Sequence, residues 1–163
     1  MRKTDQPSGR DPGHVDALLQ EIRDVFRGVK LGEGVGLFQG QGLDDYATED
    51  EIARLRADDE KEDWQLISTA DLNRCYSSLT FFDPAGMRFH LPAFLIAELR
   101  GKFEMELLYH LTDLSKYGRE QLSALLPAER KVIRKFLEHL LRDEDYEMER
   151  AAIRRGLGDY WKE

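Results

Sequence analysis

The sequence predicts an α+β fold that is mainly α-helical, with five or six helices around one small antiparallel β-hairpin. Apolar residues recur at helical spacing along most of the chain, which indicates amphipathic helices. The segment 81–91 instead alternates apolar and polar residues after the turn-like sequence Asp-Pro-Ala-Gly at 83–86, and this combination is typical of a hairpin. Helices and a hairpin in one chain define the α+β class.

The length of 163 residues suits one domain. Residues 1–13 are polar and contain Pro7, Gly9, Pro12 and Gly13, so we expect a disordered N-terminal tail. Hydrophobic residues make up 41% of the chain and charged residues 34%, which is a globular composition. Residues 14–163 are therefore predicted to form a single globular domain.

In the N-terminal half, apolar residues from Val15 to Phe26 have i, i+3, i+4 spacing and predict a helix that ends near Gly28. Glycines are frequent in 28–42, and the apolar residues between them predict a long ordered loop. Thr48 and Glu51 have capping-box spacing and begin an exposed helix. Ser68 or Thr69 is expected to cap the next helix.

The segment 79–91 is predicted to form the hairpin. Asp83 takes the first position of its turn, Pro84 the second and Gly86 the last. After the turn, apolar residues with period two form one buried face, while His90 alternates away from it toward solvent or a pocket rim. Asp83 and Arg88 are interpreted as a pair across the turn.

Prolines and aromatic residues organise the rest of the chain. Pro92 and Pro127 each suit the first turn of a helix, and Tyr160 and Trp161 are expected to fold back onto the core. The predicted core comprises Trp64, Phe81, Phe89, Leu91, Phe94, Leu95, Val132, Phe136 and Leu140.

The chain has 24 basic and 32 acidic residues and a formal charge of −8. Such a balance disfavours nucleic acid and anionic membranes, because both carry negative charge, and it favours a basic protein partner. The acids concentrate between residues 44 and 63. The predicted contact residues for a partner are Asp44, Asp45, Glu49, Asp50, Asp58 and Asp59.

The sequence predicts a cytoplasmic protein. Cys75 is the only cysteine, so an intramolecular disulfide is excluded, as expected in a reducing compartment. Residues 1–14 lack the apolar stretch of a signal peptide. The longest apolar segment, Leu91–Leu99, is interrupted by Pro92 and Glu98 and is too short to span a bilayer.

Several segments resemble one bacterial family of unknown function. They are G-E-G-V-G-L (32–37), L-D-D-Y (43–46), D-W-Q-L-I (63–67), L-T-F-F-D-P-A-G-M-R-F-H-L-P-A (79–93), K-V-I-R-K-F-L (131–137) and D-Y-W (159–161). The most specific is a motif of the form F-x-D-P-x-G-x-R-F-x-L-P-A. The resemblance covers 14–161, implies one domain, and implies no activity or catalytic residue.

No pattern in the chain predicts catalysis, a metal or a cofactor. The four histidines lack the spacing of metal ligands, and Cys75 sits at a core position with no base nearby in sequence. The glycine-rich segment lacks both phosphate-binding patterns, and Asp44 and Asp45 follow it. The acidic stretch lacks the calcium-loop pattern of an EF-hand.

Three functional hypotheses remain. The first is a non-catalytic, acidic protein-binding domain, in particular an immunity protein that neutralises a basic bacterial toxin. The second is an accessory or regulatory protein that docks through the 81–91 hairpin. The third is an enzyme of unrecognised type, with Asp83, Arg88 and His90 gathered near one turn in a deep pocket.

Overall fold

A computed structural model describes residues 11–162. Every regular element in that range is helical. The α-helices are α1 Pro12–Val25, α2 Leu37–Asp44, α3 Glu49–Asp58, α4 Thr69–Arg74, α5 Ser78–Phe81, α6 Pro84–Leu99, α7 Leu108–Thr112, α8 Lys116–Gln121, α9 Pro127–Leu141 and α10 Arg150–Asp159, with 3₁₀ helices at Trp64–Leu66 and Glu144–Glu149. The predicted tail, 1–13, lies mostly outside the described residues, and α1 already begins at Pro12.

The predicted β-hairpin at 81–91, and with it the α+β class, is wrong. The segment instead runs into α6. Asp83 is the N-cap of this helix, and its Oδ1 accepts a hydrogen bond of 2.8 Å from the amide of Gly86. Pro84 occupies the first helical position, where no amide donor is needed. Asp-Pro-x-Gly therefore serves a helix start as well as a turn, and only the surrounding structure distinguishes the two.

The burial of α6 explains why the alternation of apolar and polar residues in 81–91 wrongly predicted a hairpin. From Gly86 to Leu99, every residue except Arg88 is buried. A helix that is apolar all round carries no amphipathic stripe, so its sequence gives no helical period to detect. Met87, Phe89 and Leu91 alternate with Arg88 and His90, but the helix buries His90 together with the apolar residues.

Pro92 lies inside α6, although the sequence suggested that it begins a new helix. A proline in a helix interior costs about 3 kcal/mol. Burying one large apolar side chain gains about 1.5–3 kcal/mol, and α6 buries Phe89, Leu91, Phe94 and Leu95 completely. The packing gain therefore exceeds the cost of the missing hydrogen bond, and the helix continues to Leu99.

Helix α6 is the centre of the fold, and it packs against α1, α4, α8 and the 3₁₀ helix at Trp64–Leu66. Helix α9 packs on α1, and α10 closes over α7 and α9. The predicted core is confirmed except for Phe81, which is half-buried while its neighbour Phe82 is 1% exposed. Trp161 folds back as predicted, and its Nε1 donates to the Leu111 carbonyl at 2.8 Å.

Three predicted helix starts are confirmed. Thr48 and Glu51 form the predicted capping box, with hydrogen bonds of 3.1 and 3.2 Å. Ser68 caps α4, and Pro127 begins α9. None of the helices described is both long and apolar enough to cross a membrane.

The prediction of one long loop over 28–42 is wrong in its second half, because α2 begins at Leu37. The first half does require glycine: Gly28 and Gly32 have φ values of +79° and +57°, a region that costs other residues energy.

Candidate functional site

The predicted acidic contact residues lie mainly on α2 and α3, two helices that pack against each other. Asp44 ends α2 and Asp45 follows as its C-cap. Glu49 and Asp50 form the first turn of α3, where the helix dipole favours negative charge. Asp58 ends α3. All five are exposed, and we call them the acidic surface.

No cation among residues 11–162 forms an ion pair with the acidic surface. Among residues 11–162 the ion pairs that form lie elsewhere: Arg27–Asp24, Lys30–Glu62, Arg74–Asp71, Arg88–Glu129, Arg134–Glu138 and Lys135–Glu21. Within the same residues, Oδ1 of Asp45 accepts one hydrogen bond of 3.3 Å, from the side-chain Nε2 of Gln41. The five carboxylates of the acidic surface therefore remain exposed to solvent.

Asp59, the sixth predicted contact residue, is not a surface residue. It is 6% exposed. Its carboxylate accepts hydrogen bonds from the amides of Phe38 at 2.6 Å and Gln39 at 3.2 Å, and so it caps the start of α2. Burial raises the pKa of Asp59, against the effect of these two amides. Asp59 therefore joins the end of α3 to the start of α2.

Arg56 makes a second connection from α3 to the body of the protein. Its Nη2 donates to the Gly32 carbonyl at 2.7 Å, and its Nη1 donates to the carbonyl of Gly34. All residues of α3 are described, and every one of them is at least partly exposed. The hydrogen bonds of Arg56 to two backbone carbonyls, and of Asp59 to two amides of α2, therefore hold this helix in place.

An open groove of about 730 Å³ lies beside the acidic surface. Its lining comprises Phe38, Gln41, Gly42, Asp45, Tyr46, Ala47, Glu51, Arg54, Leu55, Asp58, Arg74 and Cys75. Phe38 and Leu55 are half-buried, and Cζ of Arg74 lies 5.4 Å from the centroid of the Phe38 ring. The groove thus combines carboxylates with partly covered apolar surface.

Tyr46 stands at the turn between α2 and α3. Its side chain is 95% exposed, and its φ of +56° is the one positive φ at a non-glycine position in residues 11–162. Sequence reasoning did not identify the groove, because Phe38, Tyr46, Leu55 and Arg74 come from three helices and a turn. An aromatic residue directly after Asp44 and Asp45 was the available signal.

The other predicted site residues, Asp83, Arg88 and His90, do not form a common site. Oδ1 of Asp83 accepts from the amides of Gly86 and Val35, both at 2.8 Å. It therefore fixes the glycine-rich segment against the start of α6. Asp83 also lines an open groove of about 610 Å³, whose lining residues include neither Arg88 nor His90.

Arg88 pairs with Glu129, and the interpretation that it pairs with Asp83 is wrong. Its Nε lies 2.7 Å from Oε1 and 3.1 Å from Oε2 of Glu129. The Glu129 side chain is 2% exposed and also accepts a hydrogen bond from the amide of Leu126 at 3.0 Å. The pair thus connects α6 to the first turn of α9.

His90 is fully buried, and the expectation that it points to solvent or a pocket rim is wrong. Its ring stacks on Phe82 with centroids 4.3 Å apart, and Nδ1 lies 2.7 Å from the Gly86 carbonyl. Its Nε2 has no hydrogen-bond partner among the described residues. Burial lowers the pKa of His90 to about 4, so the ring is neutral at pH 7.

In the described part of the chain, no three His, Cys, Asp or Glu side chains are placed to hold an ion together. Cys75 is buried, and desolvation raises the pKa of its thiol, which disfavours the nucleophilic thiolate.

The described residues define an all-helical domain with an acidic, grooved surface. The chain belongs to DUF6714, a family of unknown function, whose profile matches residues 14–163. Comparisons with curated proteins and with solved structures give no match.

Proposed function

We propose that the domain is a non-catalytic protein-binding domain, and that its acidic surface contacts a basic partner protein. One observation carries the proposal: the five acids of that surface are exposed and form no ion pair with any described residue. They lie on two helices whose positions are fixed by Asp59 and Arg56. A fixed array of like charges binds at low entropic cost, because it is ordered before the partner arrives.

The electrostatic range of such a surface is short but sufficient to steer association. The Debye length is about 8 Å at physiological ionic strength, so each carboxylate acts on a partner once the partner comes close to the two helices. Complementary charge mainly raises the association rate and excludes wrong partners. The same field repels phosphate backbones and anionic lipid.

A narrower form of the proposal is an immunity protein that neutralises a basic toxin in a bacterial cytoplasm. Support comes from the match between this surface and the positive charge that a protein needs to hold nucleic acid. Co-expression tests the narrower form: the chain would restore growth of cells that produce the toxin, and a variant in which lysine replaces all five acids of the acidic surface would not.

The experiment that tests the proposal is a pull-down from native lysate of the source cells, washed at low and at high salt. Retained proteins are identified by mass spectrometry. We expect one basic protein at equal stoichiometry with the wild-type chain, released by salt. The variant D44K/D45K/E49K/D50K/D58K would lose it.

A matched control keeps the number of reversed charges and moves them elsewhere. Asp16, Glu104, Glu106, Glu147 and Asp159 are exposed and form no ion pair with another described residue, and their replacement by lysine should leave the partner bound. Equal loss of the partner in both variants would show that net charge matters and that the acidic surface does not.

A second candidate function is docking of a regulatory partner at the start of α6. The observation that favours it is the open groove of about 610 Å³, which Phe81, Pro84 and Tyr117 line with apolar surface. Tyr117 is 57% exposed. The replacement Tyr117→Ala tests this candidate: a partner lost from this variant, but kept by the charge-reversed variant, would identify the α6 groove as the docking site.

A further inference from the structure

We infer that the groove beside the acidic surface binds a partner segment with alternating basic and apolar side chains, and that Tyr46 is its main contact. This inference rests on the proposed function, since it names the part of the partner that the acidic surface meets. It adds a requirement that charge alone does not impose, namely an apolar side chain placed next to each cation.

The apolar part of the groove is left partly uncovered by the protein itself. Leu55, on α3, lines the groove and is only half-buried. Phe38, on α2, is half-buried as well. These side chains therefore keep apolar area that an incoming apolar group could remove from water, and such burial is favourable in proportion to its area.

The charged residues of the groove favour a ligand of positive charge. Asp45, Glu51 and Asp58 line it. Of the two lining arginines, Arg74 already forms an ion pair of 2.8 Å with Asp71 and lies over the Phe38 ring. Arg54 remains as a single cation among these carboxylates. A cationic side chain is favoured there, and a carboxylate or a phosphate is repelled.

Tyr46 contributes little to the packing of the fold and is exposed where a partner could contact it. Its side chain is almost fully exposed and lines the groove. Its positive φ is a conformation that glycine or asparagine adopts more easily. The side chain thus buries little apolar area in the fold and sits on an unfavourable backbone. Tyrosine is enriched among the residues that dominate binding energy in interfaces.

The occupant follows from these three features together. A uniformly basic segment would satisfy Asp45, Glu51 and Asp58 but would leave Phe38 and Leu55 in water. A segment in which arginine alternates with leucine can meet both, because the carboxylates and the half-buried apolar side chains line the same groove. We therefore expect such a segment to bind more tightly than one with the same charge alone.

Three labelled synthetic peptides of equal length test the inference with the whole chain. One alternates Arg and Leu, one alternates Arg and Ser, and one alternates Glu and Leu. Binding is measured by fluorescence anisotropy, and the site is located by amide chemical shifts in NMR spectra. We expect the Arg–Leu peptide to bind at least tenfold more tightly than the Arg–Ser peptide and to shift the amides of Phe38, Gly42 and Leu55.

The variant Tyr46→Asn separates binding from folding, because asparagine tolerates positive φ. It should weaken the Arg–Leu peptide about tenfold while its thermal midpoint stays equal or rises. Tyr109→Asn is the matched control, since Tyr109 is 59% exposed and lies on α7, outside the groove. This control should bind the peptide like the wild-type chain.

The outcomes distinguish this inference from the proposed function. Equal affinity for the Arg–Leu and Arg–Ser peptides would contradict the inference that the groove binds apolar side chains. It would leave the proposed binding of a basic partner by the acidic surface intact. Tight binding of the Glu–Leu peptide would overturn both. If no peptide binds, or the shifted amides lie away from α2 and α3, the groove inference is wrong, and the pull-down alone decides the proposed function.

Discussion

The carboxylate of Asp59 occupies the space that a side chain at Gly36 would need. A Cβ atom at Gly36 would overlap Oδ2 and Cγ of Asp59. The same carboxylate accepts hydrogen bonds from two amides in the first turn of α2, those of Phe38 and Gln39. The glycine is therefore required by a close approach, because its φ of −79° is open to any residue. The end of α3 and the start of α2 meet at this point.

Replacing Gly36 by alanine should destabilise the protein by about 2–4 kcal/mol. Asp59 would have to move, so overpacking at about 1–3 kcal/mol is joined by a lost helix cap at about 1 kcal/mol. Urea denaturation measures the change. Gly158→Ala is the control: a Cβ there meets nothing within 4 Å, and alanine in a helix should stabilise by up to about 1 kcal/mol. Equal effects at the two positions would contradict the Asp59 contact.

Acid should destabilise the protein through His90. The pKa of His90 is about 4 in the folded chain against 6.5 for the free side chain, so folding favours the neutral ring. Its stabilising contribution is complete above pH 6.5 and is lost as pH falls toward 4. At about pH 4.5 the loss should reach about 2 kcal/mol.

The variant His90→Phe isolates this effect. Phenylalanine keeps a ring against Phe82 and cannot be protonated. The difference in unfolding free energy between pH 7.5 and pH 4.5 should therefore be about 2 kcal/mol smaller in the variant than in the wild-type chain, because carboxylates titrate equally in both. An identical pH dependence in the two chains would show that His90 titrates as a free histidine.

Removing Arg88 should leave a buried carboxylate without its cation. Glu129 is 2% exposed at its side chain while Arg88 is 30% exposed, so the cost should lie below the 3–5 kcal/mol typical of fully buried pairs. We expect about 2 kcal/mol for Arg88→Ala. In a double-mutant cycle with Glu129→Ala, the two losses should overlap by about 1 kcal/mol or more. Additive losses would argue against a direct pair.

The two aspartate N-caps of α1 and α6 should differ in importance. Asp11 accepts one hydrogen bond of 3.0 Å, from Gly13, at an exposed position. Asp83 accepts two, one of which holds Val35 of the glycine-rich segment. We expect Asp11→Ala to cost about 1 kcal/mol and Asp83→Ala about 2–3 kcal/mol. Thermal melting of the two variants measures the ranking, and a larger loss at position 11 would reverse it.

The sequence predicted best where local chemistry decides the structure. The capping box at Thr48, the cap at Ser68 and the helix start at Pro127 depend on neighbouring residues only, and all three are confirmed. The predicted core was also largely correct, because large apolar residues are buried whatever element carries them.

It failed where distant residues decide. Because α6 is buried on all sides, its sequence has no amphipathic pattern that would predict a helix. The helix continues through Pro92 because the packing of the neighbouring side chains outweighs one missing hydrogen bond. The burial of Asp59 depends on Gly36, which lies more than twenty residues earlier. Likewise the partner of Arg88 is Glu129 on α9, and no local pattern connects them.

The hydrogen bonds of Asp59 to the first turn of α2 allow the acidic surface to change during evolution. The chain enters α2 and leaves α3 at nearly the same point, and α3 keeps every residue at least partly exposed. Charges on the outer face of the helix pair can therefore be exchanged while α6 and its neighbours keep their packing. Members of the family could diverge in what they recognise while sharing one scaffold, provided that the glycine at 36 and the carboxylate at 59 are kept together.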